Sequence, residues 1–177
     1  MKRVVKFDGE YKDTMLAKQL FLHDKKKKEN MWLVCAGVDT VVDMKALSKH
    51  LKVGSGNLRA ADLESLEKWL GCRKGLVNYF AIMNDTQHKV KVLMDQALLD
   101  APFSSFHPMD NTGSTAISSE GIMKIKQIAG RDDKAFEVID FKAMAGDAPA
   151  AASSKADRPK VEQGKKLSKE EKKVRKD

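Results

Sequence analysis

The stretch Phe106–Ile117, FHPMDNTGSTAI, gathers an imidazole, a carboxylate, a carboxamide, hydroxyls at Thr112, Ser114 and Thr115, and a glycine within twelve residues. Polar loops between regular elements are where binding and catalysis concentrate. The same residue types also build plain turns. His107 is the most constrained member, because Pro108 restricts the backbone before it to extended conformations. An imidazole held that way either orients its loop through hydrogen bonds or contacts a substrate, and no nucleophile stands near it in sequence. The second residue with chemical potential is Lys18, immediately before Gln19–His23 with its apolar run Leu20-Phe21-Leu22. By residue type alone, a lysine there is a surface residue whose stem covers apolar neighbours.

The common catalytic signatures are missing. The chain has no G-x-S-x-G elbow, no Walker A loop and no H-E-x-x-H. His23, His50, His88 and His107 are scattered without metal-ligand spacing, so neither a metal nor a cofactor is expected. Cys35 and Cys72 stand far apart and read as buried apolar residues rather than a disulfide or metal pair. No apolar run approaches the ~18 residues of a membrane span, and the N-terminus lacks a signal-peptide core. A cytosolic protein without membrane contact is the expectation.

The elements that must position these residues follow from periodicity. Gln19–His23 and Met31–Ala36 read as strands joined by a turn with four consecutive lysines, a charged hairpin tip by composition. That lysine run serves either as a solvated turn or as an attractor of phosphate. Met44–Leu51 reads as a helix, Val53–Asn57 as a glycine turn and Leu58–Ala60 as a brief strand. Asp62 opens a helix with Leu63, Leu66 and Leu70 on one face, ended by Gly71. Strands are expected at Tyr79–Met83, Val90–Met94, Phe103–Phe106, Ser114–Ile117 and Ala135–Phe141. Between the last two, Ser118 caps a helix that runs to Gly130. Short strands mixed with helices, without regular βαβ alternation, predict one α+β domain.

The charge is spread along the whole chain. Residues 146–177 hold ten Lys/Arg against six Asp/Glu, and residues 1–145 hold 23 against 19, so each part carries +4 of the overall +8. This suits an anionic partner such as RNA, or a lysine-rich soluble surface. The expected division is a domain over 1–145 and a basic linker or tail over 146–177, with a capped helix from Lys169.

Taken together, Lys18-Gln19-Leu20-Phe21-Leu22-His23-Asp24, Val53-Gly54-Ser55-Gly56-Asn57-Leu58-Arg59, Asn84-Asp85, Asp95-Gln96-Ala97-Leu98-Leu99 and Phe106-His107-Pro108-Met109-Asp110-Asn111-Thr112 resemble, in order and spacing, the YbaK/ProX family of aminoacyl-tRNA editing domains. The resemblance runs from about Lys18 to Phe141 and is nearest to the prolyl-tRNA-deacylase-like members. It implies a mixed sheet flanked by helices and hydrolysis of the ester that joins a wrong amino acid, typically alanine, to tRNA for proline. It assigns the central role to Lys18 as a cation near the aminoacyl end. It places the pocket around Gly75–Phe80, Asn84, His107, Pro108, Asn111, Thr112 and Gly113. The implied partners are the acceptor end of an aminoacylated tRNA and a prolyl-tRNA synthetase, fused or separate.

The chain departs from the family pattern at several points. Gln19 stands where the family has Asn, Asn78-Tyr79 where it has Thr-Pro, Asp110 for a usual Thr and Gly113 for a usual Ala. Relatives carry a further helix and strand before the lysine, where this chain has seventeen residues, so that wall of the domain is expected to be shortened. The alternative reading is a non-catalytic tRNA-binding or scaffolding module of a synthetase assembly.

Overall fold

Alternating side chains on one central hairpin organise the molecule. In a computed structural model, which describes residues 7–110 and 112–146, β1 (Met15–Asp24) pairs antiparallel with β2 (Met31–Gly37), Leu20 facing Val34 and Leu22 facing Trp32. Successive residues of a strand point to opposite faces. Phe21, Met31, Leu33 and Cys35 therefore enter one core, and Leu22, Trp32, Val34 and Ala36 enter another on the far side of the sheet. A strand buried on both faces reads as a continuous apolar run, and every residue of β2 is buried.

Both cores are closed by helices. The second core is covered by α1 (Met44–His50), whose Leu47 is fully buried, and by the C-terminal α5 (Phe141–Ala145) through Phe141. The first is covered by α2 (Leu63–Leu70), α3 (Gln96–Asp100) and α4 (Ser119–Ile128), which contribute Leu66, Leu70, Leu98 and Ile122. The sheet has seven strands. Beyond β2 it continues through β4 (Val90–Asp95) to β7 (Phe136–Ile139), both parallel to their neighbour. On the other edge of β1, β5 (Ser104–Phe106) runs parallel to Met15 and Leu16 and is followed by β6 (Thr115–Ile117), while β3 (Leu58–Ala60) pairs with Leu22–Asp24. The architecture is a mixed sheet between two helical layers.

Helix ends form where the sequence supplies caps. The Asp62 carboxylate accepts from the Ser65 N–H at 2.9 Å, and the Ser118 hydroxyl accepts from the Gly121 N–H at 3.3 Å. The structure departs from expectation at Tyr79–Met83. That run is a 3-10 helix, Tyr79–Asn84, rather than a strand. The Asn78 side chain caps it by accepting from the Ala81 N–H at 3.2 Å, and both edges of β4 are already taken by β2 and β7. The expected helix from Lys169 lies outside the described residues, as does the tail beyond Gly146.

Candidate functional site

Lys18 sits on the half of β1 that the sheet leaves open. Its partner across the hairpin is Ala36, so its side chain stands on the same face as Leu20 and Leu22. The ammonium donates to the Val38 carbonyl at 3.1 Å and to the Thr40 carbonyl at 2.5 Å, both in the segment that follows β2. An ammonium has three N–H donors, and two are used here. Partial burial draws the Lys18 pKa below the ordinary lysine value, while the nearby charges of Asp39 and Asp95 push it back up.

Asp95 builds the bracket that holds this arrangement. Its carboxylate is buried and accepts from the Gly37 N–H at 3.1 Å and the Thr40 hydroxyl at 2.8 Å, and it also caps α3 at the Ala97 N–H. The segment that positions the Lys18 ammonium is thus tied to the end of β4, 55 residues further along. A cleft of about 460 Å³ opens beside it, lined by Asp39, Thr40, Val41, Asp95 and Lys142.

The outer edge of β1 is interrupted here. β5 pairs with Met15–Leu16 and β3 with Leu22–Asp24, and among the described residues no strand pairs with that edge between them. The alternation of backbone groups is set at both ends of this gap. The Leu16 carbonyl faces β2, accepting from Val38, and the Phe21 carbonyl faces outward, accepting from Ala61. The N–H and C=O of Gln19 consequently point outward into the gap. The Gln19 side-chain amide, on the opposite face from Lys18, has a buried nitrogen without a hydrogen-bond partner.

The His107 loop closes the β5 end. Leu16 lies opposite Ser105 in parallel register, and His107 follows directly after the end of β5. His107 Nδ1 lies 3.0 Å from the Gly113 carbonyl and 3.1 Å from the Ser114 hydroxyl. A carbonyl accepts only, so Nδ1 bears the proton and Nε2 is the ring nitrogen left as an acceptor in the neutral form. Thr112 folds back on Asp110, its N–H and hydroxyl donating to one carboxylate oxygen at 2.8 and 2.7 Å. These bonds hold the Asp110 carboxyl below the usual range. Pro108, Thr112 and Gly113 are exposed, and Asn111 lies outside the described residues.

The remaining expected site residues sit in or next to the elements that cover the other core. Phe80 packs edge-on against Phe106, with ring centroids 6.0 Å apart, among residues on the face opposite Lys18. Asn84 donates to the Leu70 carbonyl at 2.8 Å, latching the 3-10 helix to the end of α2. Gly71 there takes φ +60°, and a Cβ on it would stand 2.9 Å from the Asn84 amide. Gly75 turns with φ +83° in the exposed loop before the 3-10 helix. Asn78 and Tyr79 are fully buried. Tyr79 donates to the Ile122 carbonyl at 2.9 Å, and the Asn78 amide reaches Leu76 O at 2.9 Å and Met109 Sδ at 3.5 Å. The structure therefore brings the His107 loop and the 3-10 segment together through Met109, whereas the polar contacts of Lys18 go to Val38 and Thr40.

Residues 8–125 match the model of the aminoacyl-tRNA editing domain. The chain belongs to that family. The editing-domain match runs from before β1 into α4 and includes Lys18, Asp95 and His107. A relative from Acetoanaerobium sticklandii, the prolyl-tRNA editing protein ProX, is 35% identical over 123 residues, spanning 70% of this chain and 73% of its own. The prolyl-tRNA synthetase associated domain-containing protein 1 of Mus musculus is 39% identical over 122 residues, spanning 66% and 69%. Among solved structures, a candidate trans-editing enzyme for prolyl tRNA synthetase superimposes with a TM-score of 0.52 at 15% identity, covering 71% of this chain and 68% of that one. At that identity the likeness speaks for the fold.

Sequence reasoning missed Asp95 and the Val38–Thr40 segment as parts of the site. The available signal was an aspartate at the end of an apolar strand, immediately before a helix-forming run.

Proposed function

We propose that this editing domain hydrolyses the ester of mischarged tRNA for proline, with alanine as the amino acid removed, acting in trans or joined to a prolyl-tRNA synthetase. The observation that carries this reading is the bracketed ammonium of Lys18, a braced cation on the strand whose outer edge is interrupted, in a chain of the editing family. Two carbonyls hold the group, and its remaining N–H is the donor we assign to a phosphate or ribose oxygen of the terminal nucleotide.

The chemistry needs no covalent nucleophile from the protein. Water attacks the ester carbonyl carbon, forming a C–O bond and giving a tetrahedral oxyanion. Collapse then breaks the bond to the ribose oxygen, which takes the proton given up by the attacking water, leaves as a hydroxyl and releases the free amino acid. The outward N–H of Gln19 is the donor we assign to the oxyanion, since preorganised backbone donors are often the largest catalytic contribution. His107, Pro108, Thr112 and Gly113 form the wall beside it, with Gly75, Phe80 and Asn84 supporting that wall from the opposite core. A synthetase pocket sized for proline cannot strongly reject a smaller side chain, because one methylene is worth only ~1–3 kcal/mol. A second site that admits the small residue removes the error.

The test is hydrolysis of Ala-tRNA(Pro), Ser-tRNA(Pro), Cys-tRNA(Pro) and Pro-tRNA(Pro) by the full chain. Faster loss of the alanyl ester than of the prolyl ester supports the proposal. RNA binding with no ester loss above buffer would instead make the chain a non-catalytic tRNA-binding module.

A further inference from the structure

The turn between β1 and β2 holds Lys25, Lys26, Lys27 and Lys28, all exposed and none of them used by the chemistry above. The turn is well tied. The Asp24 N–H donates to the Asn30 carbonyl at 3.0 Å, and the Asn30 N–H returns to the Lys27 carbonyl at 2.9 Å. The Lys26 N–H is held by the buried Asp24 carboxylate at 2.9 Å, and the Lys25 N–H donates to the Asn57 carbonyl in the neighbouring glycine turn at 2.8 Å. Arg59 on the neighbouring β3 pairs with His23 of β1, and its guanidinium lies 3.8 Å from where a Cβ on Gly56 of that glycine turn would stand. Among the described residues one lysine of the four has an ion pair, Lys28 with Asp62 at 3.4 Å, and both side chains are exposed. Such a pair holds a charge loosely. Glu29 is the acidic group within the turn itself.

We infer that this hairpin tip is a docking surface for the sugar–phosphate backbone of the RNA duplex whose 3′ end reaches Lys18. The inference rests on the function proposed above. Six residues of strand, Gln19 to Asp24, separate Lys18 from Lys25, which at about 3.3 Å per residue is roughly 20 Å. A tRNA carries its amino acid on a short single-stranded 3′ extension, so the ester and the first paired phosphates are separated by a gap of this kind. Ammonium groups on a tied turn suit phosphate contacts, which position a nucleic acid without reading its sequence.

The experiment replaces Lys25, Lys26, Lys27 and Lys28 with Ser in the full chain. A charge-matched control replaces Lys165, Lys166, Lys172 and Lys173 with Ser. Binding of uncharged tRNA(Pro) is measured against salt, and hydrolysis is measured on Ala-tRNA(Pro) and on adenosine carrying an alanyl ester. The hairpin variant is expected to raise KM for Ala-tRNA(Pro) on the order of tenfold and to lower the salt slope by about 1 for each phosphate no longer neutralised. Hydrolysis of the adenosine ester and kcat should stay at wild-type levels. Unchanged KM and slope in the hairpin variant overturn the inference, and so does an equal effect in the control. A reduced slope in a protein that hydrolyses no ester leaves the docking surface standing and removes the catalytic proposal instead.

Discussion

The two halves of β1 are built for different purposes. Met15–Leu20 are half-buried, whereas Phe21–Asp24 are buried. At the hairpin end β1 lies between β2 and β3, with helices closing both faces. At the other end the neighbour on one edge covers only Met15 and Leu16, and the polar groups there are held but not saturated. A third region shows a charge bonded on nearly every side, with only the Arg131 Nε left without a partner. Arg131 and Asp85 form a wholly buried ion pair at 3.0 Å, and the guanidinium also donates to the carbonyls of Ile82, Asp85 and Val90. The Asp85 carboxylate in turn accepts from the N–H groups of Lys89 and Val90. The Asp85–Arg131 network fastens the 3-10 helix to β4, while the Lys18 bracket keeps a donor in reserve. The charge that fastens the fold is surrounded, and the charge we propose for binding is only braced.

The largest test of this contrast is Arg131→Met, which leaves Asp85 buried without its partner. It should cost ~3–5 kcal/mol in urea unfolding, whereas Lys18→Ala should stay within ~0.5 kcal/mol. Equal effects would erase the distinction. Tyr79→Phe, which removes the bond to the Ile122 carbonyl, should cost about 1 kcal/mol with the fold retained.

Asp62→Ala removes the cap of α2 and should also cost ~1 kcal/mol at neutral pH. Hydrogen bonds from Ser65, with a smaller contribution from Lys28, lower the Asp62 pKa from 3.8 to about 2. The cap therefore acts fully above pH 3.8 and fades as pH falls toward 2, so the difference between wild type and variant should shrink over that window. A difference that is flat with pH would contradict the assignment. The smallest effect belongs to Gln19→Met. Removing a buried amide nitrogen without a partner should leave stability unchanged or raise it by less than ~1 kcal/mol.

Much of this architecture is legible from the chain alone. The hairpin, α1, α2, β4 and α4 announce themselves through apolar periodicity and through caps at Asp62 and Ser118. Tyr79–Met83 misleads because a short apolar run has no period of its own, and Asn78 turns it into a 3-10 helix. The five-residue helices α3 and α5 escape notice because each starts from a capping aspartate at or just after a strand end, Asp95 or Asp140, and is too short to show a face. Lys18 and His107 stand out by residue type and neighbours. Their partners do not, since the Lys18 ammonium is held by main-chain carbonyls twenty and twenty-two residues away. A carbonyl leaves no mark in a sequence. The separation of Phe80 and Asn84 from Lys18 depends in the same way on which face of the sheet each element packs against.

The most direct measurement is deacylation of Ala-tRNA(Pro) by wild-type protein and Lys18→Ala, with urea unfolding recorded on the same preparations. The account predicts that the variant loses hydrolysis while its unfolding midpoint stays with the wild type. Equal hydrolysis by both proteins at equal stability would contradict it.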